Sequence, residues 1–124
     1  MIRGTTAQFK FKLPCTKGSL EWATIKFSQS NNPNPLLPIV KTLSHCGNPE
    51  TSHELCVSLT SEETLRFSDK LKAKVQLRAF HSTSGTIFGM KEKYIPVYPM
   101  DFDPYVPVDG LDDEYIILDG GKIE

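Results

Sequence analysis

The chain has 124 residues, 39% of them apolar, with 14 basic and 15 acidic side chains and a net charge of −1. That length suits one domain with a modest core, and no apolar run nears the roughly 20 residues that cross a bilayer. Three cysteines are too few, and odd in number, for a disulfide framework. The opening Met1-Ile-Arg-Gly-Thr-Thr6 lacks the apolar stretch of a secretory leader, so synthesis in a cytoplasm and reduced thiols are expected.

Thr5 to Leu13 alternates, with Phe9, Phe11 and Leu13 against Gln8, Lys10 and Lys12. Side chains on a strand repeat every two residues, so this reads as a half-buried first strand. Leu20 to Phe27 reads as a second, with Ala23, Ile25 and Phe27 inward and Trp22 opposite them beside Leu20 and Thr24. Ser28 to Pro35 is a polar loop. Leu36 to Leu43 is a third strand whose Pro38 delays its start to Ile39 or marks an edge. His53 to Leu59 is the fourth.

The stretch Leu55 to Phe80 then reads as strand, one helical turn, strand. Thr60-Ser-Glu-Glu63 forms a capping box: the Thr60 hydroxyl accepts the Glu63 amide and the Glu63 carboxylate reaches back. Leu65 and Phe67 are expected to fold beneath that turn. In the second limb Leu71, Ala73, Val75, Leu77 and Ala79 share a dry face, and Lys72, Lys74, Gln76 and Arg78 a wet one. His81 to Gly85 is a hairpin loop. Thr86 to Tyr98 is a sixth strand, broken near Gly89.

Six short strands joined by turns predict an all-β, antiparallel, immunoglobulin-like sandwich with one short helical turn. It would span residues 1–95, with an extended arm over 96–124. The immunoglobulin cysteine pair around a core tryptophan is absent. In the arm, Pro96, Pro99, Pro104 and Pro107 exclude regular structure from Ile95 to Val108. Residues 1–98 hold 13 basic and 7 acidic side chains, a net +6; residues 99–124 hold Lys122 against 8 acidic ones, a net −7. Aromatic anchors and a β-prone Tyr115-Ile-Ile-Leu118 set among acids suit a segment that binds a partner or adds to a sheet edge. The same residues equally suit an arm that closes its own domain. As partner contacts the candidates are Tyr98, Phe102, Tyr105, Tyr115, Ile116, Ile117 and Leu118.

Other constellations are weaker. His45, Cys46, His53 and Cys56 carry donors for zinc, but their spacing matches no standard site, so no metal and no other cofactor is expected. Cys15 has no recognisable base, and no phosphate-binding glycine loop is present, so no enzyme is expected. Lys10, Lys12, Lys72, Lys74 and Arg78 lie on wet faces and could meet phosphates. An acidic arm would compete for them, which disfavours nucleic acid. The arm of one copy lying on the body of the next uses the same asymmetry better, by steering and registering that contact.

The opening Met1–Thr6, the strand Phe9-Lys-Phe-Lys-Leu-Pro14, the stretch Val57-Ser-Leu-Thr-Ser-Glu-Glu-Thr-Leu-Arg-Phe67 and Val75-Gln-Leu-Arg78 resemble a family of small proteins of tailed phages and prophages of gut bacteria. The closing Tyr115–Gly121 is similar to endings in that group. The resemblance implies a virion-associated β-sandwich and supplies no catalytic residues. The expected function is a structural protein of the head, neck or baseplate that assembles through its C-terminal arm, made in the bacterial cytoplasm, with other virion proteins and copies of itself as partners and no membrane. The alternatives are a host-directed binding protein whose acidic arm mimics nucleic acid, and a small zinc module.

Overall fold

The computed structural model describes residues 1–99 and 116–120. The strands are β1 (Ala7–Lys12), β2 (Leu20–Ser28), β3 (Ile39–Thr42), β4 (Glu54–Leu59), β5 (Ala73–His81), β6 (Thr86–Gly89), β7 (Lys93–Ile95) and β8 (Ile116–Asp119), with a one-turn helix α1 (Ser61–Thr64) after β4. They form two sheets, β4-β1-β8 and β3-β2-β5-β6, with β7 also on β5. The fold is an all-β sandwich in which, among the described strands, every pair but β1–β8 is antiparallel. The β1–β4, β2–β3, β2–β5 and β5–β6 pairings match strands B–E, C–C′, C–F and F–G of an immunoglobulin-like domain. β1 therefore stands at the equivalent of strand B. The position of strand A, beside β1, is taken by β8, which runs parallel to it with Phe9 opposite Ile116 and Phe11 opposite Leu118.

The dry faces meet in one core. Phe9, Phe11, Leu55, Val57 and Leu59 come from the first sheet; Ile25, Phe27, Val75 and Leu77 come from the second. Phe9 and Phe27 touch across the gap at 4.8 Å between centroids, tilted by 54°. Phe67 is buried beneath α1, as its spacing predicts, but Leu65 is 40% exposed.

Two strands differ from their predicted outlines for local reasons. A register shift between Leu20 and Trp22 turns Leu20 into the core, on the opposite side from Trp22. The predicted sixth strand is two, β6 and β7, both paired to β5. They part at Gly89, where a Cβ would run into the Leu77 carbonyl, and the Met90 amide takes up that carbonyl at 3.2 Å.

The polar loop after β2 is anchored by a buried side chain. Gln29 Nε2 donates to the Ser68 and Leu71 carbonyls at 2.7 and 2.8 Å, and its Oε1 accepts from Ser68 N–H and Asn32 Nδ2, both at 2.7 Å. A buried amide with its groups paired holds a loop that has no apolar anchor of its own.

Past Ile95 the chain stays on the sandwich. Val97 is buried, Tyr98 N–H donates to the Met1 carbonyl at 2.8 Å and Arg3 N–H donates to the Tyr98 carbonyl at 3.0 Å. At the far end Ile116 packs on the core, Leu118 is buried and Gly120 N–H bonds the Lys12 carbonyl at 2.6 Å. Leu118→Ala should lower unfolding free energy by about 2–4 kcal/mol in urea melts. Ile117→Ala, on the outward face of the same strand, should change it by less than about 1 kcal/mol.

The capping box is formed. Glu63 N–H donates to Thr60 Oγ1 at 3.1 Å and Thr60 N–H donates to Glu63 Oε1 at 2.9 Å. Lys41 on β3 pairs with the same carboxylate at 2.9 Å, so the corner is tied to the second sheet. Burial pushes the Glu63 carboxyl up, but the Thr60 amide and the Lys41 ammonium outweigh it and hold it below the ordinary carboxylate value. A folded value below the unfolded one, about 4.3, stabilises the fold above that pH and loses the contribution as pH falls through the folded value. The urea midpoint should therefore drop on acidification below about pH 4. Glu63→Gln, which keeps a capping group, should flatten that part of the profile.

Candidate functional site

The outer face of the second sheet carries the most unusual surface. On it Trp22 lies opposite Phe80 and Phe80 opposite Ile87; Thr24 lies opposite Arg78, and Lys26 between Val40 and Gln76. Lys74 lies between Ser28 and Tyr94. Cross-strand neighbours on one face stand close enough to interact. Trp22 and Phe80 stack at 6.3 Å between centroids and 21° between planes. Seven large apolar side chains are exposed among the described residues, and four of them, Trp22, Val40, Ile87 and Tyr94, share this face. Single exposed apolar residues are ordinary, whereas a stacked aromatic pair continued by Ile87 is a patch. Beside Trp22 runs a shallow groove of about 260 Å³ walled by Glu21, Thr24, Thr42, Leu43 and Ser44.

The charge on this face is positive. Glu92 is engaged by Lys74 at 3.8 Å, Gln76 Nε2 at 3.2 Å and the Tyr94 hydroxyl at 3.3 Å. Lys26 and Arg78, both exposed, form no ion pair among the described residues. On the outer face of the first sheet, by contrast, Lys10 is paired with Glu54 at 3.6 Å.

A second concavity of about 280 Å³ lies between Arg3, Asn32, Asn34 and Arg66. Its amides are directed at its own wall: Asn32 and Asn34 both donate to the Arg66 carbonyl, and Arg3 Nη2 donates to the Leu65 carbonyl. It reads as the seam that closes the corner over α1.

The arm residues predicted as partner contacts fall into three groups. Phe102, Tyr105 and Tyr115 lie outside the described residues. Tyr98 is half-buried and its backbone is bonded to the N-terminal segment. Ile116 and Leu118 face the chain's own core, because β8 occupies the strand position beside β1, while Ile117 is 56% exposed. Of the described arm residues, Ile117 is therefore the one that β8 turns outward.

His45, Cys46, His53 and Cys56 do not converge: among the described residues no three His, Cys, Asp or Glu side chains are placed to hold a metal ion. His45 Nδ1 accepts from Thr42 N–H at 3.0 Å, and Cys56 Sγ accepts from Asn48 Nδ2 at 3.3 Å. Cys46 is buried, with Sγ 3.6 Å from the Thr42 carbonyl. Burial pushes its thiol up, and Cys56 adds to that while Lys17 opposes it. Lys17 Nζ donates to the Cys46 and Asn48 carbonyls at 2.6 and 2.8 Å, and Asn48 Oδ1 accepts Cys56 N–H at 2.6 Å. These groups fasten the loop before β4 to the sheet.

No protein-family model, curated protein or solved structure matches this chain. The patch itself left a trace in the sequence. Phe80 follows Arg78 on the wet alternation of its strand, and Trp22 opposes an inward Ala23. Large aromatics on the polar side of two strands mark a wet face that is not fully wet. Trp22 is the chain's sole tryptophan and 37% exposed, so acrylamide should quench the native emission substantially. Phe80→Ala should shift that emission while lowering stability by about 0.5–1.5 kcal/mol, the scale of an aromatic pair.

Proposed function

We propose that this chain is a structural protein of a tailed-phage particle, a non-catalytic β-sandwich that occupies a repeated position on the head, neck or baseplate. Its partners are other virion proteins and further copies of itself. The observation that carries the reading is the Trp22–Phe80–Ile87 patch on the outer face of the second sheet. Buried aromatic anchors beside charged groups are what interfaces concentrate. The sequence resemblance to small phage and prophage proteins is what supports a location in the particle.

The test is the content of particles purified from the encoding phage or prophage. Quantitative mass spectrometry should find the chain in several copies per particle. A Trp22→Ala/Phe80→Ala variant should fold, as far-ultraviolet circular dichroism would show, and be depleted from particles by about tenfold or more, the effect of losing about 1.4 kcal/mol at an interface. Intact particles without the protein, from cells that express it well, would overturn the reading and favour a host-directed binding protein.

A further inference from the structure

We propose that the outer face of the second sheet docks residues 101–115 of a neighbouring copy. This rests on the assembly reading and names the surface and the occupant. The face offers two kinds of group together. Trp22, Phe80 and Ile87 form an apolar run, and Lys26 and Arg78 stand beside it with no acidic partner among the described residues. Residues 101–115 match both kinds. They hold six acidic side chains, Asp101, Asp103, Asp109, Asp112, Asp113 and Glu114, and no lysine or arginine; Phe102, Tyr105 and Tyr115 are interleaved with them.

A nucleic acid would also suit cations next to a stacked tryptophan. The peptide is favoured because it is present in every copy at equal concentration and carries acids that would exclude phosphates from the same face.

The assembly reading favours the neighbour's face over the chain's own, because only that contact joins copies. Tyr98 is bonded to the N-terminal segment and Ile116 lies beside Phe9 in the first sheet. The segment is therefore held at both ends on its own sandwich and would meet the neighbour as a loop. Such a contact joins one patch to a different one, so unless two copies exchange segments reciprocally it propagates into a ring or a filament. That is the geometry of a repeated position on a particle.

The test uses the full chain. Equal amounts of unlabelled and ¹⁵N-labelled protein are mixed and treated with a carbodiimide, which joins amines to carboxylates without a spacer. The expected result is a cross-link from Lys26 to the acidic run Asp112–Glu114, with the two ends carrying different isotopes in about half of the linked pairs, as random mixing requires. Lys26→Gln/Arg78→Gln, folded by circular dichroism, should lose self-association by at least tenfold in sedimentation. The unchanged protein should weaken similarly between about 0.05 and about 0.5 M salt, where screening shortens. Cross-links whose ends always carry the same isotope would overturn the proposal, because the segment would then lie on its own chain. Self-association that survives the double substitution and high salt would overturn it too, as would tight binding of oligothymidine with no self-association. In each of these cases the protein's presence in particles would still stand or fall by itself, so the two readings fail separately.

Discussion

The fold depends on β1 having a partner on each side. Its Phe9 and Phe11 are wholly buried, and Phe9 meets Phe27 across the sandwich. Those rings stay dry only if both edges of β1 are covered. β4 covers one edge by an antiparallel ladder and β8 covers the other by a parallel one. An uncovered β1 would present unpaired amides and carbonyls beside two phenylalanines, the combination that invites edge-to-edge association. Among the described residues the edge of β1 away from β4 is covered by β8, a short strand distant from it in sequence. Gly120 continues that fit: a Cβ there would collide with the Lys12 carbonyl, so the chain leaves β8 pressed against β1.

Much of this was legible because alternation is a local property. The faces of β1, β4 and β5 follow from every second residue, and the corner from four residues, Thr60 to Glu63. What was not legible is pairing between distant segments. Ile116 and Leu118 read as apolar, but nothing in a tetrapeptide says whether the edge it joins belongs to its own chain. Leu20 departs from its expected face for a different reason: the register shift before Trp22 breaks the period of two, and a period cannot announce its own interruption. Gln29 reads as part of a polar loop, yet its side chain is buried and fully paired, because a loop without apolar residues still needs something to hold it down.

The two clusters of candidate chemistry show how linear proximity misleads. His45, Cys46, His53 and Cys56 are close in sequence, but the short 3₁₀ turn at Leu43–His45 aims His45 at its own cap, and Asn48 occupies Cys56. The aromatic patch behaves in the opposite way. Trp22, Phe80 and Ile87 are far apart in sequence and sit side by side because β5 pairs with β2 on one edge and β6 on the other. A wet-or-dry reading of each strand separately assigns all three to solvent. Only the ladder shows that they are neighbours.

The division of labour within the last quarter of the chain follows from the same geometry. Strand alternation gives β8 an inner and an outer side, and the inner side is committed to the core through Ile116 and Leu118. A side chain that excludes water from its own domain is not also available to a partner unless the strand leaves, and leaving would uncover Phe9 and Phe11. Any recognition must therefore use groups that are not needed to keep the sandwich dry. The outer face of the second sheet meets that condition. Its Trp22, Ile87, Lys26 and Arg78 stand on strands whose stability is set by Ala23, Ile25, Leu77 and Ala79 on the other side. Surface can be specialised there without cost to the core, since in a two-sided sheet the side chains of successive residues answer to different environments.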